Sequence, residues 1–222
     1  MLSLSALVRE GQKPRNPAVL PVAPPKVSWL YKVGKRSFDL VCSALLLVPL
    51  TCTALALLVL NPFLNNGPLF FIQDRMGRDC RPFRAWKFRS MVPPGVARRG
   101  PFDPLEHDRI TRLGRFLRKS RIDELPQIFN VLRGEMSLVG PRPDALDHAT
   151  VYVSQIAGYR ERHAILPGIS GFAQTEVGYV DGLEGVRRKV AADLFYLRHA
   201  SLRFDLWIAW RTVQVVLLRK GA

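Results

Sequence analysis

The stretch Leu40-Val41-Cys42-Ser43-Ala44-Leu45-Leu46-Leu47-Val48-Pro49-Leu50-Thr51-Cys52-Thr53-Ala54-Leu55-Ala56-Leu57-Leu58-Val59-Leu60 carries no charge over 21 residues. As a helix it is about 32 Å long, enough to cross the hydrocarbon core of a bilayer. Pro49 lies near its middle. Its missing N–H removes the hydrogen bond to the Leu45 carbonyl, and each half is then only about 14 to 17 Å long. Two geometries follow from the residues. In one, a spanning helix kinks and Ser43, Thr51 or Thr53 re-satisfies the freed backbone. In the other, the helix breaks, turns back and leaves by the face it entered. Both flanks are basic, with Lys26, Lys32, Lys35 and Arg36 before the run and Arg75, Arg78, Arg81, Arg84, Lys87 and Arg89 after it. Positive residues favour the cytoplasmic side, so this symmetry is compatible with re-entry without deciding for it. Asp39, at the edge of the run, is expected at headgroup level.

Upstream, residues 1–30 carry Pro14, Pro17, Pro21, Pro24 and Pro25 with little periodicity. They read as a flexible tail rather than a signal peptide. Downstream, the breakers Asn61-Pro62 and Asn65-Asn66-Gly67-Pro68 precede two short strand patterns, Leu69 to Ile72 and Phe83 to Met91, joined by a turn containing Gly77. Residues 92–108 read as a loop. Ile110, Leu113, Phe116 and Leu117 mark one face of a basic helix. A second helix is expected over 182–200, opened by Asp181 with Glu184 and continued by Val186, Val190, Leu194 and Leu197. A third runs from Ser201 to about Leu218, with Arg203, Arg211 and Gln214 on an arc flanked by Trp207 and Trp210, a pattern suited to a membrane interface. Asp205 lies on its opposite face and calls for a buried partner or a site.

Charge narrows the function. With 33 Lys and Arg against 18 Asp and Glu, the formal charge is +15. The partner is therefore anionic: nucleic acid, phospholipid headgroups or a phosphorylated substrate. At 48% hydrophobic and 9% aromatic residues, burial can offset chain entropy, which excludes wholesale disorder. Cys42, Cys52 and Cys80 are odd in number and two lie in the apolar run, which argues against a secreted disulfide framework. The four histidines show no ligand spacing with one another or with cysteine.

Candidate chemistry is concentrated in Leu117-Arg118-Lys119-Ser120-Arg121-Ile122-Asp123-Glu124-Leu125-Pro126-Gln127, where two adjacent carboxylates lie among cations. Ser120 with Asp123 fits a helix capping box, a purely structural role. The same pair fits phosphoryl transfer, in which one carboxylate attacks phosphorus and the other holds a divalent cation. Arginines would then neutralise charge moving onto the leaving group. The residues by themselves leave both roles open.

The run from Arg109 to Ser120, then Asp123-Glu124-Leu125-Pro126-Gln127, then Asn130 through Gly140-Pro141-Arg142-Pro143, closely resembles the bacterial sugar transferase family, the monotopic polyprenyl-phosphate phosphoglycosyl transferases. Phe70 to Gly77, Lys87-Phe88-Arg89-Ser90-Met91, Pro167 to Gln174 and the pattern of Asp193, Tyr196, Ser201 and Asp205 extend the resemblance over residues 33–218. It implies transfer of a sugar-1-phosphate from a UDP-sugar to undecaprenyl phosphate with release of UMP, the first membrane step of glycoconjugate or exopolysaccharide assembly. It implies Asp123 as the nucleophile that forms a phosphosugar intermediate and Glu124 as a Mg²⁺ ligand. Arg118, Arg142, Lys87, Arg89, Arg75, Gln174 and Asp205 are the expected substrate- or phosphate-binding residues.

The resemblance also implies re-entry at Pro49. The expected fold is α/β with helix predominating: a membrane-dipping re-entrant helix at 31–66, interfacial amphipathic helices, and a small cytosolic catalytic domain within 67–222. Its place is the inner face of the bacterial cytoplasmic membrane, with downstream glycosyltransferases as partners and no nucleic acid. Two departures stand out. Val48 precedes Pro49 where many relatives have Ser, and Thr175 to Gly182 replaces an Asn-Gly-Arg type loop. A lipid-linked glycosyltransferase releasing UDP is the nearest competing enzyme. A non-enzymatic basic membrane-surface protein explains the charge but gives the Asp123-Glu124 pair no role.

Overall fold

A computed structural model describes residues 27–92, 100–103, 106–178 and 182–218. Nearly all of the expected tail, most of the 92–108 loop and Asp181 lie outside the described residues. The apolar run forms part of α1 (Trp29–Leu64), which opens at Ser28 with its hydroxyl accepting from the Tyr31 N–H. Asp39, Ser43, Leu50, Leu57 and Asn61 are its buried residues. Their four- and seven-residue steps trace one stripe along the helix, while Leu45, Val48, Leu58 and Val59 face away and are exposed. The most apolar window of α1 is only 17% buried, so this is not the core helix of a soluble domain.

Pro49 does not interrupt α1. Of the three hydroxyls expected to compensate for it, Thr51 donates to the Leu47 carbonyl at 2.9 Å and not to the Leu45 carbonyl that Pro49 frees. Ser43 is buried with its hydroxyl unpartnered among the described residues. Both ends of α1 rest on the same domain. Near its start, Arg36 donates to the Val131 and Leu132 carbonyls, satisfying the end of α3 (Ile128–Leu132). Asp39 turns inward rather than toward headgroups: its carboxylate accepts from Ser137 Oγ and the Leu138 N–H, both at 3.0 Å. Farther along, Leu50 and Leu57 pack with Phe88 and Leu117, and past the last turn Asn65 Nδ2 donates to the Arg89 carbonyl.

The hairpin pairs β1 (Phe70–Met76) antiparallel with β2 (Pro82–Phe88). Strand β1 runs four residues beyond the apolar Leu69 to Ile72, because its polar half finds partners across the ladder, Asp74 opposite Arg84 among them. Alternation splits the hairpin into two faces. Phe70, Trp86 and Phe88 form one, with Phe70 stacked on Phe88 and edge-on to Trp86. Gln73, Arg75 and Lys87 lie on the other, which becomes the site wall.

The basic helix is α2 (Arg112–Lys119), capped by Thr111, which accepts from the Gly114 N–H at 2.9 Å. A Cβ at Gly114 would overlap the Ser90 carbonyl, so only glycine lets α2 approach so closely. Phe116, expected on the apolar face, is instead half exposed. Short strands β3 (Ser137–Val139) and β4 (Gly168–Ser170) pair in parallel. Four more helices follow from residue 146 on: α4 (Leu146–Gln155), α5 (Phe172–Glu176), α6 (Gly182–His199) and α7 (Leu202–Leu217). The fold is mostly helical, with named strands among the described residues confined to two two-stranded sheets.

Candidate active site

The chain turns sharply before the carboxylate pair. Ser120 ends α2, its hydroxyl donating back to the Phe116 and Leu117 carbonyls at 2.8 and 3.2 Å. Arg121 takes a left-handed conformation (φ 58), and a 3-10 turn, Ile122–Gln127, begins without a side-chain cap. The expected Ser120–Asp123 capping box therefore does not form. Its absence removes the capping role for Asp123, which with Glu124 is buried.

Glu124 is gripped from several sides. Lys87 Nζ lies 2.8 Å from Oε1, Arg142 binds both oxygens in a fork, with Nη1 to Oε2 at 2.7 Å, and Arg121 approaches Oε2 to 3.7 Å. Burial alone would push this carboxyl up, but Arg142 and Lys87 overcome it and hold Glu124 well below the usual range. Burial, with Arg142 nearby, brings Lys87 down to about 8. Asp123 is the opposite case. It is 5% exposed, yet its carboxylate has no side-chain or backbone hydrogen bond among the described residues. Burial and the adjacent Glu124 charge raise it to about 6, against the pull of Lys87, Arg118 and Arg142. Two neighbouring acids are thus pushed apart, one locked as an anion and one poised near neutrality.

The second edge of β2 explains how Lys87 is held. Asn130, fully buried at the heart of α3, accepts from the Trp86 N–H at 3.2 Å and donates to the Arg84 carbonyl at 2.7 Å. One amide thus closes two backbone groups of an edge strand and ties it beside the acidic turn. Nothing in the local pattern marks Asn130 for this role. Arg121 was visible as one more cation in the dense stretch, but its left-handed turn was not.

The structure brings Asp123, Glu124, Lys87, Arg142 and Arg118 together. Arg75 borders them, donating to the Pro143 carbonyl at 2.5 Å and to Gln73. Gln174 stands on α5, with its Oε1 buried and unpartnered among the described residues. Arg89 and Asp205 are placed elsewhere. The Arg89 guanidinium donates to the Pro68 and Asn65 carbonyls at the base of α1. Asp205 accepts from Tyr31 and Lys35, each at 2.9 Å, and from Tyr196 at 2.6 Å; it fastens α7 to the start of α1.

The model of the family described as bacterial sugar transferase matches residues 30–219, from α1 through α7. The chain belongs to the bacterial sugar transferase family. Among relatives in that family, a UDP-N-acetylgalactosamine-undecaprenyl-phosphate N-acetylgalactosaminephosphotransferase of Aeromonas hydrophila is 38% identical over 87% of this chain and 46% of its own length. A UDP-glucose:undecaprenyl-phosphate glucose-1-phosphate transferase of Caulobacter vibrioides is 42% identical over 85% of this chain and 71% of its own. The exopolysaccharide production protein PSS of Rhizobium leguminosarum is 38% identical, over 84% and 96%. The chain spans less than half the length of several larger relatives, the Aeromonas enzyme included.

Proposed function

We propose that this sugar transferase moves a sugar-1-phosphate from a UDP-sugar to undecaprenyl phosphate, releasing UMP. The observation that carries the reading is the state of Asp123: a buried carboxylate without a hydrogen bond, beside an acid that takes up the neighbouring cations. A structural carboxylate at such depth is normally paired. An unpaired one, ringed by positive charge, is what a nucleophile attacking a phosphate needs.

In the proposed reaction a carboxylate oxygen of Asp123 attacks the phosphorus that bears the sugar. The bond from that phosphorus to the UMP oxygen breaks, and UMP leaves with the electron pair. An oxygen of undecaprenyl phosphate then attacks the same phosphorus, and the Asp123 carboxylate is restored. Arg118, Lys87 and Arg142 lower the cost of bringing anion to anion and offset charge on the departing phosphate. Among the described residues no cluster of three or more His, Cys, Asp or Glu side chains forms a ready metal cage. Two adjacent carboxylates nonetheless fit Mg²⁺, which is commonly held by one or two acids plus substrate phosphates. Glu124 would hold it, and the ion would supply charge neutralisation on the pyrophosphate. Glu124 must then exchange part of its grip on Arg142 and Lys87, freeing those cations for the substrate.

The acceptor phosphate stays at headgroup level, and the protein is read as monotopic at the inner face of the bacterial cytoplasmic membrane. Contacts at both ends of α1 with one domain support entry and exit by the same face, which the continuous helix would reach only by bending at Pro49. On α7, Leu206, Trp207 and Trp210 are exposed beside Arg203 and Arg211, which suits contact with the same leaflet. Cysteines at positions 33 and 66, in a chain lacking its native three, should both react from the cytosolic side; labelling from opposite sides would restore the spanning geometry.

The direct test is purified protein with undecaprenyl phosphate and a panel of UDP-sugars, beginning with the N-acetylgalactosamine and glucose donors named for the relatives. UMP release is expected, with label from the sugar-bearing phosphate captured on the enzyme when acceptor is omitted. UDP release would assign glycosyl transfer instead, and no release from any donor would refute the reading.

A further inference from the structure

Arg142 binds both oxygens of Glu124, yet it stands on a loop of residues 141–144 outside any helix or strand. Its backbone is held from below by a buried charged network that touches none of the proposed reacting groups. Arg162, 1% exposed, donates through Nη2 to the Arg142 carbonyl at 2.6 Å and through Nη1 to Asp144 Oδ2 at 2.7 Å. The same Nη2 lies 2.8 Å from Asp193 Oδ2 on α6. Lys189, also on α6, pairs with Asp144 at 2.5 Å. Tyr159 donates to Asp144 at 2.8 Å and lies with its ring 5.1 Å beneath the Arg162 guanidinium.

Two acids and two bases make this cluster neutral; Arg162 and Asp193 are withdrawn from water, and Asp144 and Lys189 are largely so. Such networks contribute little stability over an apolar core of the same shape, because desolvation offsets the attraction. What a forked guanidinium does provide is direction: it fixes the Arg142 carbonyl and the Asp144 carboxylate at set angles, with the Asp193 charge alongside. We infer that Arg162 is a positioning residue for the transfer reaction, setting through the Arg142 carbonyl and Asp144 where the Arg142 guanidinium meets Glu124 and the substrate pyrophosphate. The inference takes its substrate from the function proposed above, while the lever itself concerns only the placement of Arg142.

A double-mutant cycle tests it. Arg162→Lys keeps the charge but loses the fork, and should lower turnover about 10- to 100-fold, the scale of an ångström-level misplacement. In an Arg142→Lys background the same change should cost less than about twofold, because the group being positioned is already lost. Asp193→Asn, which leaves the Arg162–Asp144 arm in place, should couple to Arg142→Lys in the same way and serves if Arg162→Lys does not fold. The cycle is run in parallel on the affinity for inorganic pyrophosphate, measured by calorimetry on the full chain. Additive effects overturn the inference. Transfer with additive effects removes the lever and leaves the transferase. Coupled pyrophosphate binding without transfer from any donor removes the transferase and leaves the lever. Neither binding nor turnover overturns both.

Discussion

Replacing Asp123 by Asn should abolish transfer and at the same time make the protein more stable. The carboxyl is raised from 3.8 to about 6 on folding, so the folded state binds its proton more tightly than the unfolded chain does. Folding is therefore opposed wherever the unfolded group is ionised: the penalty is absent below pH 3.8, grows through the window up to 6 and is complete above it. That difference corresponds to about 3 kcal/mol at pH 8, falling to about half of it near pH 5 and to a small remainder near pH 4. Asn carries no charge to desolvate and does not repel Glu124. The assay is urea unfolding of wild type and variant in the same detergent across pH 4 to 8, beside capture of label from the sugar-bearing phosphate. A stability gain that shrinks toward acid, with no label captured, is expected. The wild-type rate should fall on the acid side with a midpoint near 6, as the nucleophile takes up its proton. A variant that is less stable at pH 8, or a gain independent of pH, would refute the claim that Asp123 is held ionised against its surroundings, and label on the variant would reject it as nucleophile.

Arg142→Lys should lower turnover about 10- to 100-fold, since an ammonium cannot reproduce the fork on Glu124; steady-state kinetics with saturating donor measure it. Glu124→Gln should remove activity or raise the Mg²⁺ needed for half-maximal rate, and an unchanged metal titration counts against its role. Asp205→Asn should destabilise by about 3 kcal/mol by stranding Lys35 among buried groups. Joint replacement of Lys35 by Met and Asp205 by Leu should recover folding and transfer together. Recovery of folding without transfer would return Asp205 to the substrate.

Much of the architecture was legible because periodicity survives in a single chain. The uncharged run marked α1, Gly77 marked the hairpin turn, and the apolar spacing of Val186, Val190 and Leu197 marked α6. What escaped was decided by partners far away in sequence. Strand β1 gains its polar half only because Asp74 meets Arg84 across the ladder. The spacing of Ser120 and Asp123 suggests a cap, but the left-handed Arg121 between them sends the chain elsewhere. In the site, the acidic pair and its arginines were legible as a cluster of charge. Which way Arg89 and Asp205 face was not, since matching motif positions do not fix direction. Asn130 and Arg162 were invisible as functional parts because each acts on backbone groups that the sequence does not pair with it.

The polar residues of α1 bear on how the molecule is made. Asp39 meets Ser137 across 98 positions, Lys35 meets Asp205 across 170 and Tyr31 meets the same acid across 174. During synthesis, then, the apolar helix α1 emerges carrying groups whose counterparts the ribosome has yet to translate. Until α7 is made, Tyr31 and Lys35 lack the carboxylate that pairs them in the folded chain. The start of α1 is therefore seated on its domain only once Asp205 on α7 is in place.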